Sequence, residues 1–415
     1  MNKQTLINTL WMFVEKIVLV AGFFLIGAWL ARYLGPGLTG QLTYLIAVYQ
    51  VVQVIAKWGS ESTLFRRVSK NPRSGSRCLQ ATGHSRVVIL LLLACPIEIY
   101  FYCAKDETFF ILSAAVAASA LFSTLDVYAV YYNARLMSKY NTVINSYGLI
   151  TTLALRTAVV TLMLKPLWLV LPIVVNSALP CLLRRRKYLR NHAVTLAEGD
   201  IKHYRRYFLH SGKHLVFSSL SIALYTQSQN FFIYHYAGSV QLGIYAVATV
   251  LATGTGALIN PFITSCYASI YAETDSGRAK KRVGALLRWV TVLAATLNIM
   301  VIIASGFLIP KLYGAEFTLA REPLMILSIA ATLSFMGSVT YRYIMHHSGF
   351  YYLSIKTVFS LVFSIAITGY LVKEYGITGA AWAAVTTELV SLTVLNYFFK
   401  QRAVLKMHLF TLRGR

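Results

Sequence analysis

Long apolar stretches separated by short polar segments recur along the whole chain. Each has the length that crosses a bilayer, about 20 residues at 1.5 Å rise. Twelve spans account for the pattern, at roughly residues 6–31, 38–57, 87–103, 109–133, 143–164, 167–183, 207–233, 239–272, 285–309, 323–344, 350–372 and 377–399. The first ends at Tyr33-Leu34-Gly35-Pro36-Gly37, a Gly/Pro turn that cannot stay helical. The eighth is long, and Asn260-Pro261 predicts a kink partway along it. Only Lys3 precedes the first apolar run, and Glu15-Lys16 interrupt it, which does not suit a cleavable signal core. The run is therefore expected to stay as the first membrane helix.

Composition agrees with this reading. Of 415 residues, 57% are hydrophobic and 13% charged, half of the roughly 25% usual in soluble domains. The mean hydropathy is +0.60. A net charge of +25 would point to nucleic acid in a soluble protein, but its distribution gives another cause. With the N-terminus in the cytoplasm, the inner loops and flanks carry 30 Lys/Arg and the outer ones 6. That asymmetry predicts both termini in the cytoplasm and an even number of spans, and removes the motive for a nucleic-acid partner. The five cysteines (Cys78, Cys95, Cys103, Cys181, Cys266) show neither a disulfide framework nor metal-ligand spacing. There is no phosphate-binding G-x-x-x-x-G-K-[ST] run and no catalytic constellation, so neither an ATPase, a metal site nor a cofactor is expected.

A weak internal repeat organises the spans. Arg32–Gly40 and His235–Gly243 align without a gap and match at Tyr33/Tyr236, Gly35/Gly238 and Gly40/Gly243, each pair 203 residues apart. Each segment follows the first span of a six-span half. The expected fold class is thus an all-α integral membrane protein with about twelve helices in two pseudo-symmetric six-helix bundles. Residues 1–183 would form the first bundle and 207–399 the second. A basic cytoplasmic loop, 184–206, would link them, interrupted at Ala197-Glu198-Gly199-Asp200, and 400–415 would be a basic tail.

Three segments also carry a family likeness. These are Leu34-Gly35-Pro36 with Gly40, Leu312-Tyr313-Gly314-Ala315-Glu316-Phe317 after the ninth span, and Tyr375–Ala383 (YGITGAAWA) opening the twelfth. In order and spacing they resemble the polysaccharide transporters of the multidrug/oligosaccharidyl-lipid/polysaccharide (MOP) superfamily, most closely O-antigen flippases of the Wzx type. The resemblance implies a MATE-like fold in the bacterial inner membrane. It further implies export of an undecaprenyl-diphosphate-linked oligosaccharide, with a polysaccharide polymerase and a chain-length regulator as candidate partners.

Moving a glycan and a diphosphate past hydrocarbon requires a polar cavity between the bundles, cations for phosphate and hydrogen-bonding groups for sugars. Ionisable residues inside spans are Glu15, Lys16, Asp126, Arg156, Lys213 and Glu388. Each costs about 2.5–3.5 kcal/mol at a helix centre, so each should face a partner or water. Arg156 is the most central cation, suited to bidentate phosphate contact or to an ion pair with Glu15 or Asp126. Lys16 is a second substrate candidate. His210, Lys213 and His214 share one helical face behind Arg205 and Arg206, and could receive diphosphate or snorkel to lipid headgroups. Gln227, Gln229 and Asn230 could bind sugar hydroxyls or tie helices together. Tyr234 and Tyr236 sit where an interfacial aromatic belt would place them. Glu15, Asp126 and Glu388 are candidates for ion coupling or for structural pairing. Three functions compete: a lipid-linked oligosaccharide flippase, an ion-coupled small-molecule exporter of the same superfamily, and a polysaccharide polymerase or ligase. The short outer loops count against the last.

Overall fold

The computed structural model describes residues 3–135, 137–191, 198–271 and 276–412, and among them helix is the only regular structure. The helices in chain order are α1 (Lys3–Lys57), α2 (Ser60–Lys70), α3 (Pro72–Ala104), α4 (Glu107–Leu125), α5 (Tyr128–Ala134), α6 (Ser138–Thr161), α7 (Val170–Asn191) and α8 (Glu198–Tyr236). They continue as α9 (Gly238–Gly254), α10 (Gly256–Tyr271), α11 (Ser276–Leu308), α12 (Arg321–His346), α13 (Phe350–Leu392), α14 (Val394–Tyr397) and α15 (Ala403–Leu412). Among the described residues nine helical stretches are long and apolar enough to cross a membrane. Gly35 divides α1 and Gly376 divides α13, both with left-handed backbone (φ 70° and 58°). Helix α8 is 39 residues long but more polar than the nine. With the two divisions and α8, the described residues offer twelve helical stretches for the twelve expected spans.

The two divided helices explain why glycine stands in the segments that carry the family likeness. A left-handed φ ends one helix at glycine without the Cβ clash, and proline at 36 suits the first turn of the next because its missing N–H has no helical partner there. Gly238 and Gly314 also have positive φ, 82° and 100°. The repeat in the sequence therefore marks two turns of one kind, Gly35 and Gly238. Its other glycines pack together: a Cβ on Gly40 would lie 1.7 Å from the Ser239 carbonyl oxygen, and one on Gly243 would lie 2.0 Å from that of Pro36. Only hydrogen fits at either position.

Chain contacts divide the protein into two units. The first comprises the residues up to Leu34 and Leu45–Ala223; the second comprises Gly35–Tyr44 and Leu224–Arg415, so both repeat turns belong to the second. In the first unit Asn71 caps α3, its side chain accepting from the Ser74 backbone N–H at 3.1 Å, with Pro72 at the first helical position. A cluster rich in tyrosine (Tyr131, Tyr132, Tyr188, Tyr204) packs there with Leu64, Val68 and Leu79. In the second unit α10, α11, α12 and the start of α13 share one apolar core, which Val404 and Met407 of α15 enter.

Three expectations need correction. The linker is largely helical: Arg184–Asn191 continue α7, and α8 starts at Glu198, while Ala197 lies outside the described residues. The break in the eighth pass falls at Thr255, between α9 and α10, and Pro261 lies inside α10. Glycines at 254 and 256 flank that break, where their backbone freedom weakens the helix. Residues 403–412 form a docked helix and not a plain tail, because Val404 and Met407 are fully buried.

Candidate functional site

Polar side chains are buried in both units, and each unit has its own cavity. In the second unit a cavity of about 220 Å³ is lined by α8, α9, α12 and α13. Glu388 of α13 reaches it and accepts a 2.7 Å hydrogen bond from the Tyr225 hydroxyl of α8. Lys356, on the first half of α13, interacts electrostatically with Glu388. Gln229, Thr249, Thr253 and Ser334 add amide and hydroxyl groups to the wall, which Leu327, Ala330 and Ala331 complete. The lining thus combines an acid with neutral hydrogen-bonding groups on an apolar base, chemistry suited to hydroxylated or cationic ligands.

The three amides of α8 separate in role. Gln229 lines the cavity, whereas Asn230 donates to Gln227 Oε1 at 2.6 Å, one turn away on the same helix. Tyr234 stacks on Tyr44, centroids 3.8 Å apart and rings 13° from parallel, so it is engaged inside the second unit. Tyr236 is exposed.

In the first unit the chief polar centre is Arg184, which is 2% exposed. Its guanidinium pairs with Asp126, donates to Asn145, and donates through Nε to Asn141 Oδ1 at 3.0 Å. Asn141 in turn donates to the Ala129 carbonyl and to Asn133 Oδ1, both at 2.8 Å. Asp126 caps the end of α4 with non-helical backbone, which turns its carboxylate out of the helical row. Asp126, one of the two ion-pair partners that the sequence offers Arg156, therefore pairs with Arg184. The hydropathy pattern places Arg184 in the loop; continuation of α7 carries it inward. Arg156 is half-buried in α6 and has no hydrogen-bond or ion-pair partner among the described residues. The side chains of Glu15 and Lys16 lie outside the described residues, as does that of His214. His210 and Lys213 are exposed. Beside them, Trp58 donates to the Leu209 carbonyl at 3.1 Å and packs against Gly212.

A second acid in the first unit escaped the sequence reading. Glu98 of α3 accepts from the Tyr49 hydroxyl and, at 2.7 Å, from Ser113, while its other oxygen is buried without a partner among the described residues. Arg86, also on α3, is 1% exposed and uses only Nη2, toward the Leu79 carbonyl at 3.4 Å. Arg86 lies just before a hydropathy span, where charge ordinarily means solvent, but helix α3, at 33 residues, runs past it and buries it, while Glu98 further along is half-buried.

A larger cavity, of about 550 Å³, lies between α2, the start of α3 and α8 of the first unit, lined by Arg66, Arg67, Lys70, Ser74 and Tyr207 among others. No group of three or more potential metal ligands occurs among the described residues.

Buried polar centres threaded through long apolar helices define a multi-pass membrane protein. The chain resembles a structure of the lipid II flippase MurJ in an inward closed conformation, with a TM-score of 0.72 and 14% identity over 98% of this chain and 91% of that one. It also resembles a multidrug-resistance MATE transporter of the MOP superfamily in its inward-facing conformation (TM-score 0.65, 14% identity, 95% and 98% coverage) and in its outward-facing one (0.55, 14%, 95% and 96%). At these identities the likeness is one of fold. No curated protein is significantly similar in sequence. The family is shown separately: the model of the polysaccharide biosynthesis protein family matches residues 29–322, and the chain belongs to that family.

Proposed function

We propose that the protein is a flippase that moves an undecaprenyl-diphosphate-linked oligosaccharide, an O-antigen or related surface-polysaccharide repeat unit, from the cytoplasmic to the periplasmic leaflet of a bacterial inner membrane by alternating access. The observation that carries this reading is the coincidence of a polysaccharide biosynthesis family with a fold found in a lipid II flippase. The buried polar centres support it, since a chain serving only as a membrane scaffold would leave such costly groups out. In this reading Arg156 and Lys16 are phosphate candidates and Gln229 a sugar ligand, with both termini in the cytoplasm. A polysaccharide polymerase and a chain-length regulator would act after it, and no enzymatic step is assigned to the chain.

The small acid-lined cavity of the second unit favours one alternative, an ion-coupled exporter of small molecules. Deleting the gene separates the two. The flippase reading expects surface glycan to disappear while lipid-linked repeat units accumulate unpolymerised on the cytoplasmic face. Normal surface glycan together with a new drug sensitivity would favour the exporter.

A further inference from the structure

We infer that the 550 Å³ cavity of the first unit, between α2 and the start of α3, binds a phosphate or diphosphate group. This goes beyond the transport reading and does not depend on the identity of the cargo. The cavity falls within the roughly 300–1,000 Å³ typical of ligand pockets. Three cations face it, Arg66, Arg67 and Lys70, and no carboxylate is among its lining residues. None of the three forms an ion pair among the described residues; the nearby acid Glu61 is held by Lys57 at 2.9 Å.

Arg67 is fixed in place. Its Nε donates to Ser74 Oγ at 3.0 Å, and its guanidinium lies 4.9 Å from the Tyr204 ring centroid and 4.3 Å from that of Tyr207. Ser74 is itself 3.3 Å from the Tyr204 hydroxyl. Held between two aromatic faces, the planar guanidinium loses little freedom on binding, and its remaining N–H groups suit the paired oxygens of a phosphate. Arg66 and Lys70 are exposed and supply charge at the rim. Asn71, which ends α2 and caps α3, also lines the cavity. Plain snorkelling would require only the exposed Arg66 and Lys70; it does not account for a buttressed arginine.

A phosphate could arrive as the headgroup of an anionic lipid or on a soluble compound, and two probes distinguish them. The full-length protein is purified and titrated with inorganic pyrophosphate by calorimetry. In parallel it is placed in nanodiscs of mixed phosphatidylglycerol and phosphatidylcholine, and lipid retention is read by native mass spectrometry. Arg66→Gln with Lys70→Gln should weaken binding of one probe at least tenfold. Ser62→Asp, which adds a negative charge at an exposed lining position, should do the same without disturbing packing. Arg402→Gln, an exposed cation of the second unit, should change neither. Cavity-dependent pyrophosphate binding assigns a soluble source, and cavity-dependent retention of phosphatidylglycerol alone assigns a lipid. Failure of the wild type to bind either probe, or equal effects of cavity and control variants, overturns the proposal.

Discussion

Arg184 and Asp126 show how the membrane interior ranks individual residues. Both are largely buried, and the arginine's three-way contact with Asp126, Asn141 and Asn145 offsets the desolvation of its charge. Arg184→Gln leaves the Asp126 carboxylate buried and uncompensated, which costs about 3–5 kcal/mol. The expected outcome is a marked fall in protein level and in the detergent melting temperature, with Asp126→Asn in the same chain restoring much of both. A single variant as stable as the wild type would show that the pair is solvated. The acids and bases of the spans were partly legible from the sequence: Asp126, Arg156 and Glu388 stand out in apolar runs. Arg184, the partner of Asp126, was not, because the hydropathy pattern assigns it to the loop and only the course of α7 carries it inward.

At the scale of the elements, glycine decides where helices stop and touch. The Gly40/Gly243 approach leaves no room for a methyl group, so Gly243→Ala should force Pro36 and the turn at Gly35 apart. We expect that variant to accumulate poorly, whereas Gly337→Ala, with nothing within 4 Å of its Cβ, should accumulate normally when both are compared by membrane-fraction blotting. The repeat at Arg32 and His235 made both turns legible in the sequence. That the two repeats pack against each other was not, since alignment records likeness and not contact. Helix α15 gives a pH test. Burial lowers His408 to about 4, and its ring faces the Thr340 hydroxyl and the Tyr397 phenol, each at 3.3 Å. An undocked histidine titrates near 6.5, so the undocked helix takes up the proton more readily between these values. Docking is therefore complete above about pH 6.5 and weakens as pH falls toward 4. Proteolysis within Ala403–Leu412 should rise from pH 7 to pH 5 in the wild type and stay flat in His408→Gln.

At the scale of the whole molecule, alternation of apolar and polar segments carried most of the fold. Twelve passes follow from span length, and the glycine turns mark the joints where continuous helices divide. The site was less legible, because a membrane cavity is lined by residues from several distant passes. Gln229, Tyr225 and Glu388 meet across 163 residues of chain between the last two, and no local spacing encodes that meeting. What the whole assembly does is tested most directly by transport itself. Purified protein is reconstituted into vesicles carrying a fluorescent undecaprenyl-diphosphate-linked repeat unit, and an impermeant quencher then reports the fraction in the outer leaflet after loading on one side only. The account predicts that lipid-linked oligosaccharide crosses in a protein-dependent manner within minutes. Vesicles with protein whose repeat units stay as one-sided as in protein-free vesicles, across imposed proton and Na⁺ gradients of either sign, would contradict it.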